Sequence, residues 1–369
     1  SIIFTGTFAS QNTFPLFRDF HLQGNVAKVT GAGISIAPTT GEASYLEFLN
    51  VVFSYIPLSL NFVRASLWKV HNCAFLAYSS AGIQIANLNN PDSGDSVVTS
   101  CVFNNPFATG VGIRHLSSGG LKVANNKFLG GVNGYALQYN STVGSTSVLL
   151  ISGNSIENMS GPGISLGRGA GTFTYSNIVI TDNEFGIGPK GIQTDGASSF
   201  LSQMVINGNV FNISSSGTPV AIELTAVVDF IVSGNLCRGN GGTSTGVYIA
   251  ASSSGKVGPN VYSNLTTTVN NLSSSTQVTL SSQSGGSTTI NTGWTGYGTL
   301  YVSPATSVTF PTAFSVTPAI TDVTLTAGSA NGAVGGYVTT VSKTGFTYQA
   351  ISSVTNIAAT IYWKVSGVL

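Results

Sequence analysis

The chain has 369 residues, enough for two domains and a large buried core. Only 7% of them are charged, the net charge is +1 and glycine occurs 45 times, so the surface must be polar yet nearly uncharged. This excludes a nucleic-acid partner, which needs clustered Lys and Arg, and with no run of ~18 apolar residues no membrane insertion is expected.

Three cysteines without metal-like spacing exclude a disulfide framework and a Cys-rich zinc site; no metal or cofactor is expected. Cys73, Cys101 and Cys237 read as buried small hydrophobes. The sequons at Asn140, Asn158, Asn212, Asn264 and Asn271 are what chance supplies in so Asn-rich a chain. The opening stretch, SIIFTGTFASQ, has neither Met nor the layout of a signal peptide and already reads as strand, as if an N-terminal part preceded it.

From there the chain repeats. One apolar series runs Phe53, Phe75, Phe103, Phe128, Ile156, Phe185, Phe211, Cys237, Tyr262, with a mean spacing of about 26 residues, in the range of stacked repeats. Two places before these lie Asn126, Asn154, Asn183, Asn209, Asn235 and Asn260, and in earlier coils Val51, Cys73 and Cys101. A second series runs Ile34, Ile83, Ile113, Leu137, Ile164, Ile192, Ile222, Val247. The chain alternates around it with period two and shows no helical period, so short strands are expected. The solution is an all-β fold, a right-handed single-stranded parallel β-helix over 1–262, each coil ~4.8 Å above the last. Asn is expected at one corner because it tolerates left-handed backbone and its amide can bond to the same group one coil away.

After Tyr262 the rhythm dissolves into a Ser/Thr-rich stretch that still carries Val269, Leu272, Val278, Leu280 and Ile290, read as a β-rich neck over 263–296. From 297 to 369 strict alternation returns and a small antiparallel sandwich is expected. The motif Phe310-Pro311-x-x-Phe314-x-x-x-Pro318, then Gly345-Phe346, then Tyr362-Trp363-x-x-x-Gly367, resembles the lectin-like tip domain of bacteriophage tailspikes and tail fibres. A β-helix followed by such a module is similar to that family as a whole. The resemblance implies a homotrimer held by neck and tip, carried on the virion and joined to the rest of the phage tail through an N-terminal region not present here. It also implies binding of a bacterial surface polysaccharide, O-antigen or capsule, usually with cleavage.

The residue after each anchor of the second series points outward, giving the file Gln84, Arg114, Gln138, Ser165, Gln193, Glu223, Tyr248. Amides for sugar hydroxyls and an aromatic face are what a neutral glycan groove needs, and an ordinary solvated sheet face would look the same. Two residues farther come Leu116, Asn140, Gly167, Asp195 and Thr225. Asp195 and Glu223 then lie on adjacent coils with Cα atoms roughly 8 Å apart, a spacing suited to two carboxyl groups flanking a glycosidic bond. Glu223, between Ala221-Ile222 and Leu224, is expected to be raised in pKa by partial desolvation and to act as the acid, with Asp195 as base. Arg114, His115 and Arg168 are placed to orient sugar hydroxyls or an acidic sugar.

Glu157 and Glu184, flanking the Asn corner of consecutive coils near Asp182, are a rival pair. Asp92 and Asp95 sit in turn chemistry, and His21 and His71 read as structural. Trp294, Tyr297, Tyr301, Tyr362 and Trp363 suit either a sugar site in the tip or packing in a trimer core. An endo-acting glycoside hydrolase, with lyase chemistry left open, stands against a glycan-binding fibre that does not cut. A secreted lyase of the pectate type is a weaker third reading, since the acids are too dispersed to hold Ca²⁺.

Overall fold

The computed structural model describes residues 2–4, 15–25, 30–38, 43–86, 95–104, 110–117, 119–130, 135–140, 146–167, 174–186, 188–195, 200–213, 217–239, 243–250, 252–273, 278–280, 284–290, 295–297, 300–303, 305–310, 317–327, 334–352 and 359–366. None of these residues is helical. Most of them form three long parallel sheets, in which each strand's neighbour is the equivalent strand of the next coil. The first sheet has 11 strands from Ile2–Phe4 to Thr267–Asn271, the second 11 from Leu16–Arg18 to Val278–Leu280, and the third 10 from His21–Gln23 to Val261–Ser263. One coil runs from Lys69–His71 in the second sheet through Ala74–Leu76 in the third to Ala81–Ile85 in the first, and re-enters the second at Ser96–Thr99.

The expected parallel β-helix is therefore present, and its register agrees with both apolar series. Phe53, Phe75, Phe103, Phe128, Ile156, Phe185, Phe211, Cys237 and Tyr262 pair in turn along the third sheet. Ile34, Ile83, Ile113, Leu137, Ile164, Ile192, Ile222 and Val247 do so along the first, with Leu60 filling the coil the series skipped. A third buried file, Phe48, Val70, Val98, Val123, Ile151, Ile180, Ile206 and Val232, lines the second sheet. Burying each such side chain contributes about 1.5–3 kcal/mol, and stacking spreads that gain evenly along the column.

The phenylalanines explain the recurring Gly-apolar pair. Phe53, Phe75, Phe103 and Phe128 stack face to face with centroids 5.2, 4.7 and 4.6 Å apart. A Cβ on Gly82, Gly112, Gly163, Gly191 or Gly246 would strike the ring of Phe103, Phe128, Phe185, Phe211 or Tyr262 in the coil that follows. Where that coil offers Ile156 or Cys237 instead, the slot holds Ala136 or Ala221, both fully buried. The glycines are thus a steric complement to the ring stack. Ser59, one coil before Phe75, departs from the pattern, and its hydroxyl is buried without a hydrogen-bond partner.

At the corner between second and third sheets the Asn side chains turn inward and form a buried column. Asn126, Asn154, Asn183 and Asn209 each give both the backbone N–H and a side-chain N–H to Oδ1 of the next Asn, at 2.8–3.0 Å. Each also gives a side-chain N–H to a carbonyl of the coil before, as Asn183 does to Ile151 at 3.0 Å. The left-handed backbone belongs to the preceding residue: Asn50, Asn72, Ser100, Asn125 and Asp182 have φ between 51° and 57°, and Gly153, Gly208 and Gly234 between 65° and 69°. The two roles expected of a single Asn thus fall on adjacent residues. One position turns the chain, and the next satisfies the corner's buried donors.

Residues 263–296, expected as a separate neck, are shared out. Strands Thr267–Asn271 and Val278–Leu280 continue the first and second sheets, whereas Ser284–Ile290 pairs antiparallel with Ala359–Ser366. The chain divides into a unit of residues 1–255 and 260–278 and a unit of 256–259 and 279–369. In the latter, a three-stranded antiparallel sheet (Ser284–Ile290, Ala359–Ser366, Ala319–Ala327) accompanies a five-stranded one centred on Gly345–Ser352. Of the tip motif, Phe310 and Phe346 are buried with ring centroids 6.0 Å apart, while Pro311, Phe314 and Gly367 lie outside the described residues.

Steric complementarity between glycine and ring can be measured. Cys237→Phe should crowd Ala221 and lower stability by about 1–3 kcal/mol, the usual cost of overpacking. Adding Ala221→Gly should restore most of that loss in denaturant unfolding; a double variant no more stable than Cys237→Phe alone would refute the pairing.

Candidate functional site: a polar file along the first sheet

Alternation in the first sheet sends one residue per coil to the outside, in the register expected. Ser35, Asn61, Gln84, Arg114, Gln138, Ser165, Gln193, Glu223, Tyr248 and Asn270 follow one another as Cα partners. Hydrogen bonds tie the row together. Asn61 donates to Ser35 Oγ (3.2 Å), Gln84 to Asn61 Oδ1 (3.3 Å), and Arg114 to Gln84 Oε1 (3.4 Å) and Gln138 Oε1 (3.3 Å). Arg114 also reaches Ser80, and burial lowers its pKa from the usual guanidinium range. Farther along, Gln193 donates to Glu223 Oε1 (3.4 Å). Ser165 is the short member between two glutamines; it is 1% exposed and its hydroxyl has no hydrogen-bond partner.

Glu223 stands in register with Gln193, so Asp195 lies two residues along on the neighbouring coil, and the ~8 Å Cα spacing follows from strand rise and separation. Asp195 is half-buried, and its N–H bonds to Leu166 O at 2.9 Å. The apolar neighbours expected to desolvate Glu223 point the other way: Ala221, Ile222 and Leu224 are all inside the column. What the Glu223 carboxylate meets is the Lys190 ammonium, at 2.6 Å, with 18% of the Glu223 side chain exposed. Buried Thr194 braces this end of the row, accepting the N–H of Thr225 at 2.7 Å.

The rival acids lie on the third sheet in the same offset relation, with Ser155 paired to Glu184 and Glu157 two residues along. Glu157 accepts from Ser155 (3.0 Å) and faces Lys127 at 3.5 Å, and Glu184 is exposed. Gln138, Gln193, Arg114 and Tyr248 are half-buried on the outer face. His115 is not among them: it falls in the inward file with Ile85 and Tyr139 and cannot touch a ligand on the surface. One residue's slip in an alternating strand exchanges outside for inside. Arg168, Asp92 and Trp294 lie outside the described residues, as do the side chains of Tyr297, Tyr301, Tyr362 and Trp363.

Lys190 was missed by sequence reasoning. It belongs to a flanking file that otherwise reads Leu58, Ala81, Val111, Tyr135, Pro162, Val220 and Thr245, and its being the one charge there was the available signal.

No protein-family model and no curated protein matches the sequence. Solved structures do. A variant of the tailspike of E. coli bacteriophage HK620, in complex with a pentasaccharide, aligns with 91% of this chain and 71% of its own, at 12% identity and a TM-score of 0.45. The tailspike of Pseudomonas phage LKA1 aligns with 91% of this chain and 66% of its own, at 14% identity and 0.41. That of Acinetobacter baumannii bacteriophage AP22, in complex with a capsular saccharide of its host, aligns with 95% and 65%, at 11% identity and 0.37. Each of these is a bacteriophage tailspike.

The inward His115 has a consequence of its own. Its ring stacks on Tyr139 with centroids 4.3 Å apart, and burial drives its pKa down to about 3, partly offset by a hydrogen bond to the Ser117 backbone. Between pH ~6.5 and about 3 the unfolded chain binds a proton there that the folded chain refuses. Stability should therefore fall as pH drops through this window, by up to about 4–5 kcal/mol from this residue, and level off below it. His115→Phe should flatten that part of the profile in unfolding measured from pH 7 to 3; an unchanged slope would show that His115 is not the source.

Proposed function

We propose that the chain is a phage tailspike that binds a bacterial surface polysaccharide, O-antigen or capsule, along the outer face of the first sheet and cuts it by endo-glycosidic hydrolysis. The observation that carries this reading is the in-register polar file, one amide, hydroxyl, guanidinium, carboxylate or phenol per coil on a chain almost free of charge. A glycan offers hydroxyls to such a row, and side chains already bonded to one another lose little freedom when it binds. The tip motif from Phe310 to Gly367 supports the same family.

In the proposed reaction an incoming sugar displaces Lys190 from Glu223. The Glu223 carboxylate, released from the ammonium, takes up a proton from solvent and gives it to the glycosidic oxygen as the bond to the anomeric carbon breaks. Asp195 takes a proton from the water whose oxygen forms the new bond to that carbon. Arg114, Gln138, Gln193 and Tyr248 hold the flanking sugars. The protein acts from the phage tail, outside the cell. A second reading, a fibre that binds without cutting, is favoured by the ion pairs Lys190–Glu223 and Lys127–Glu157, which give two of the four candidate acids structural partners.

A homotrimer belongs to the same proposal. The outward file of the second sheet passes from Glu47, Lys69, Val97 and Lys122 to Leu150, Val179, Val205 and Ile231, with Ile231 45% and nearby Val148 51% exposed. An uncharged apolar strip of this length on a polar surface fits a contact between chains. Light scattering should give the mass of three chains, and Val205→Glu with Ile231→Lys should shift it toward one; a wild-type monomer would rule the trimer out.

Cleavage is tested by incubating the protein with purified O-antigens and capsules while following viscosity and the release of oligosaccharides of regular length. Asp195→Asn and Glu223→Gln should each slow release by about 10²-fold or more with binding retained, and Glu157→Gln and Glu184→Gln should not. Loss with the latter two alone would move the site to the third sheet. Binding without any products would establish the fibre reading, and an absorbing double bond at new chain ends would mean lyase chemistry.

A further inference from the structure

Two members of the outward row on the first sheet are charged, Arg114 and Glu223. Lys190 neutralises Glu223, whereas no carboxylate meets Arg114 among the described residues. The guanidinium rests instead on four neutral acceptors, Gln138 Oε1, Gln84 Oε1, Ser80 Oγ and the Ser80 carbonyl, at 3.3–3.4 Å. Bonds from an Arg to a carboxylate run about 2.7–2.9 Å, so these contacts are loose by comparison. Burial draws the pKa of Arg114 down, and no acid offsets that pull. Asp195 and Glu223 stand three and four coils away, roughly 14 and 19 Å at ~4.8 Å per coil, beyond the ~10 Å at which salt screens a charge. In a chain with 7% charged residues, a half-buried cation without a counter-charge is an exception.

The hydrogen-bond polarity around Arg114 is one-sided as well. A guanidinium only donates, so the amide oxygens of Gln84 and Gln138 must turn toward it and their amino groups away. Gln84 gives an N–H to Asn61 Oδ1 at 3.3 Å, while the amino group of Gln138 has no acceptor among the described residues. Of the guanidinium's own N–H groups, one on Nη2 is unspent. Acceptors are thus consumed at this point of the row, and donors are left over. A sugar hydroxyl, which both gives and takes, would fit anywhere along the row. A carboxylate only accepts, carries the missing charge and matches the planar fork, so it fits best here. We propose that Arg114 and the Gln138 amide form a subsite for the carboxylate of an acidic sugar, of the uronic acid class, in the bound polysaccharide. The inference rests on the polysaccharide reading and narrows it to anionic glycans. Three coils separate the subsite from Asp195, so the acid belongs to a sugar remote from the bond that is cut.

The probes are the methyl glycosides of glucuronic and galacturonic acid, with methyl glucoside and methyl galactoside as neutral counterparts. Binding to the full chain is read by saturation-transfer NMR titration. The uronides should bind about fivefold tighter than the neutral glycosides at low ionic strength, and the advantage should fade in about 1 M salt. Arg114→Gln should abolish the preference. Should that variant fail to fold, Gln138→Glu keeps the test valid: its carboxylate, in register with Arg114, should occupy the guanidinium and exclude the uronides. Equal binding of acidic and neutral glycosides, or a preference unchanged in either variant, overturns the subsite. The polysaccharide reading fails separately: if uronides are preferred but no O-antigen or capsule is bound, the function falls and the subsite stands. If the bound polysaccharide is held as tightly after its carboxyl groups are reduced to alcohols, the subsite falls and the function stands.

Discussion

Everything on the surface of the column depends on a row of amides at its interior corner. In a parallel β-helix each coil must begin at the same height relative to the last, or every outward side chain loses its neighbour. The Asn column enforces this, because an Asn displaced by one residue would leave two buried N–H groups and a carbonyl without partners. Each such group costs about 1–3 kcal/mol when buried unpaired. Hydrophobic stacking alone is non-directional and would tolerate slippage; directional bonds from Asn126 to Asn260 do not. Below Asn126 the column changes character: Cys101 gives its backbone N–H to Asn126 and Cys73 gives its own to the Cys101 sulfur at 3.4 Å. There the ring stack of Phe53, Phe75 and Phe103 continues beside it, with centroids 5.2 and 4.7 Å apart.

The interior repeat was legible because it is repeated. A single Gly-Ile or Asn-x-Phe means little, but nine coils of the same offset leave few alternatives, and the register that follows places Gln193 beside Glu223 without further assumption. What escaped was whatever happens once. Lys190 is a lone charge in its file. The identity of the corner residues was also blurred, since Asn appears at both positions: Asn125 turns the chain with φ of 57° and Asn126 joins the buried column. His115 shows the other limit. Its neighbour Arg114 was placed correctly on the outside, and in a strand that alone requires His115 to face in.

Outer and inner rows are built from similar chemistry with opposite consequences. Inside, amides are fully enclosed and each bond is obligatory. On the first sheet the row from Asn61 to Gln138 is half-exposed, so its bonds exchange readily with water or with another partner of the same polarity. A protein short of charge can in this way offer a long polar surface that is ordered yet undemanding, and the few ionic contacts on it, such as Lys190 with Glu223, become points of definition.

Because each coil bonds only to the coils above and below, the column has no intrinsic end-to-end dimension. Duplication of one ~26-residue segment would add a storey without disturbing the cross-section, provided the copied Asn and the glycine opposite its ring travel together. Height can thus evolve separately from girth, and a lineage could vary reach while keeping its working surface unaltered.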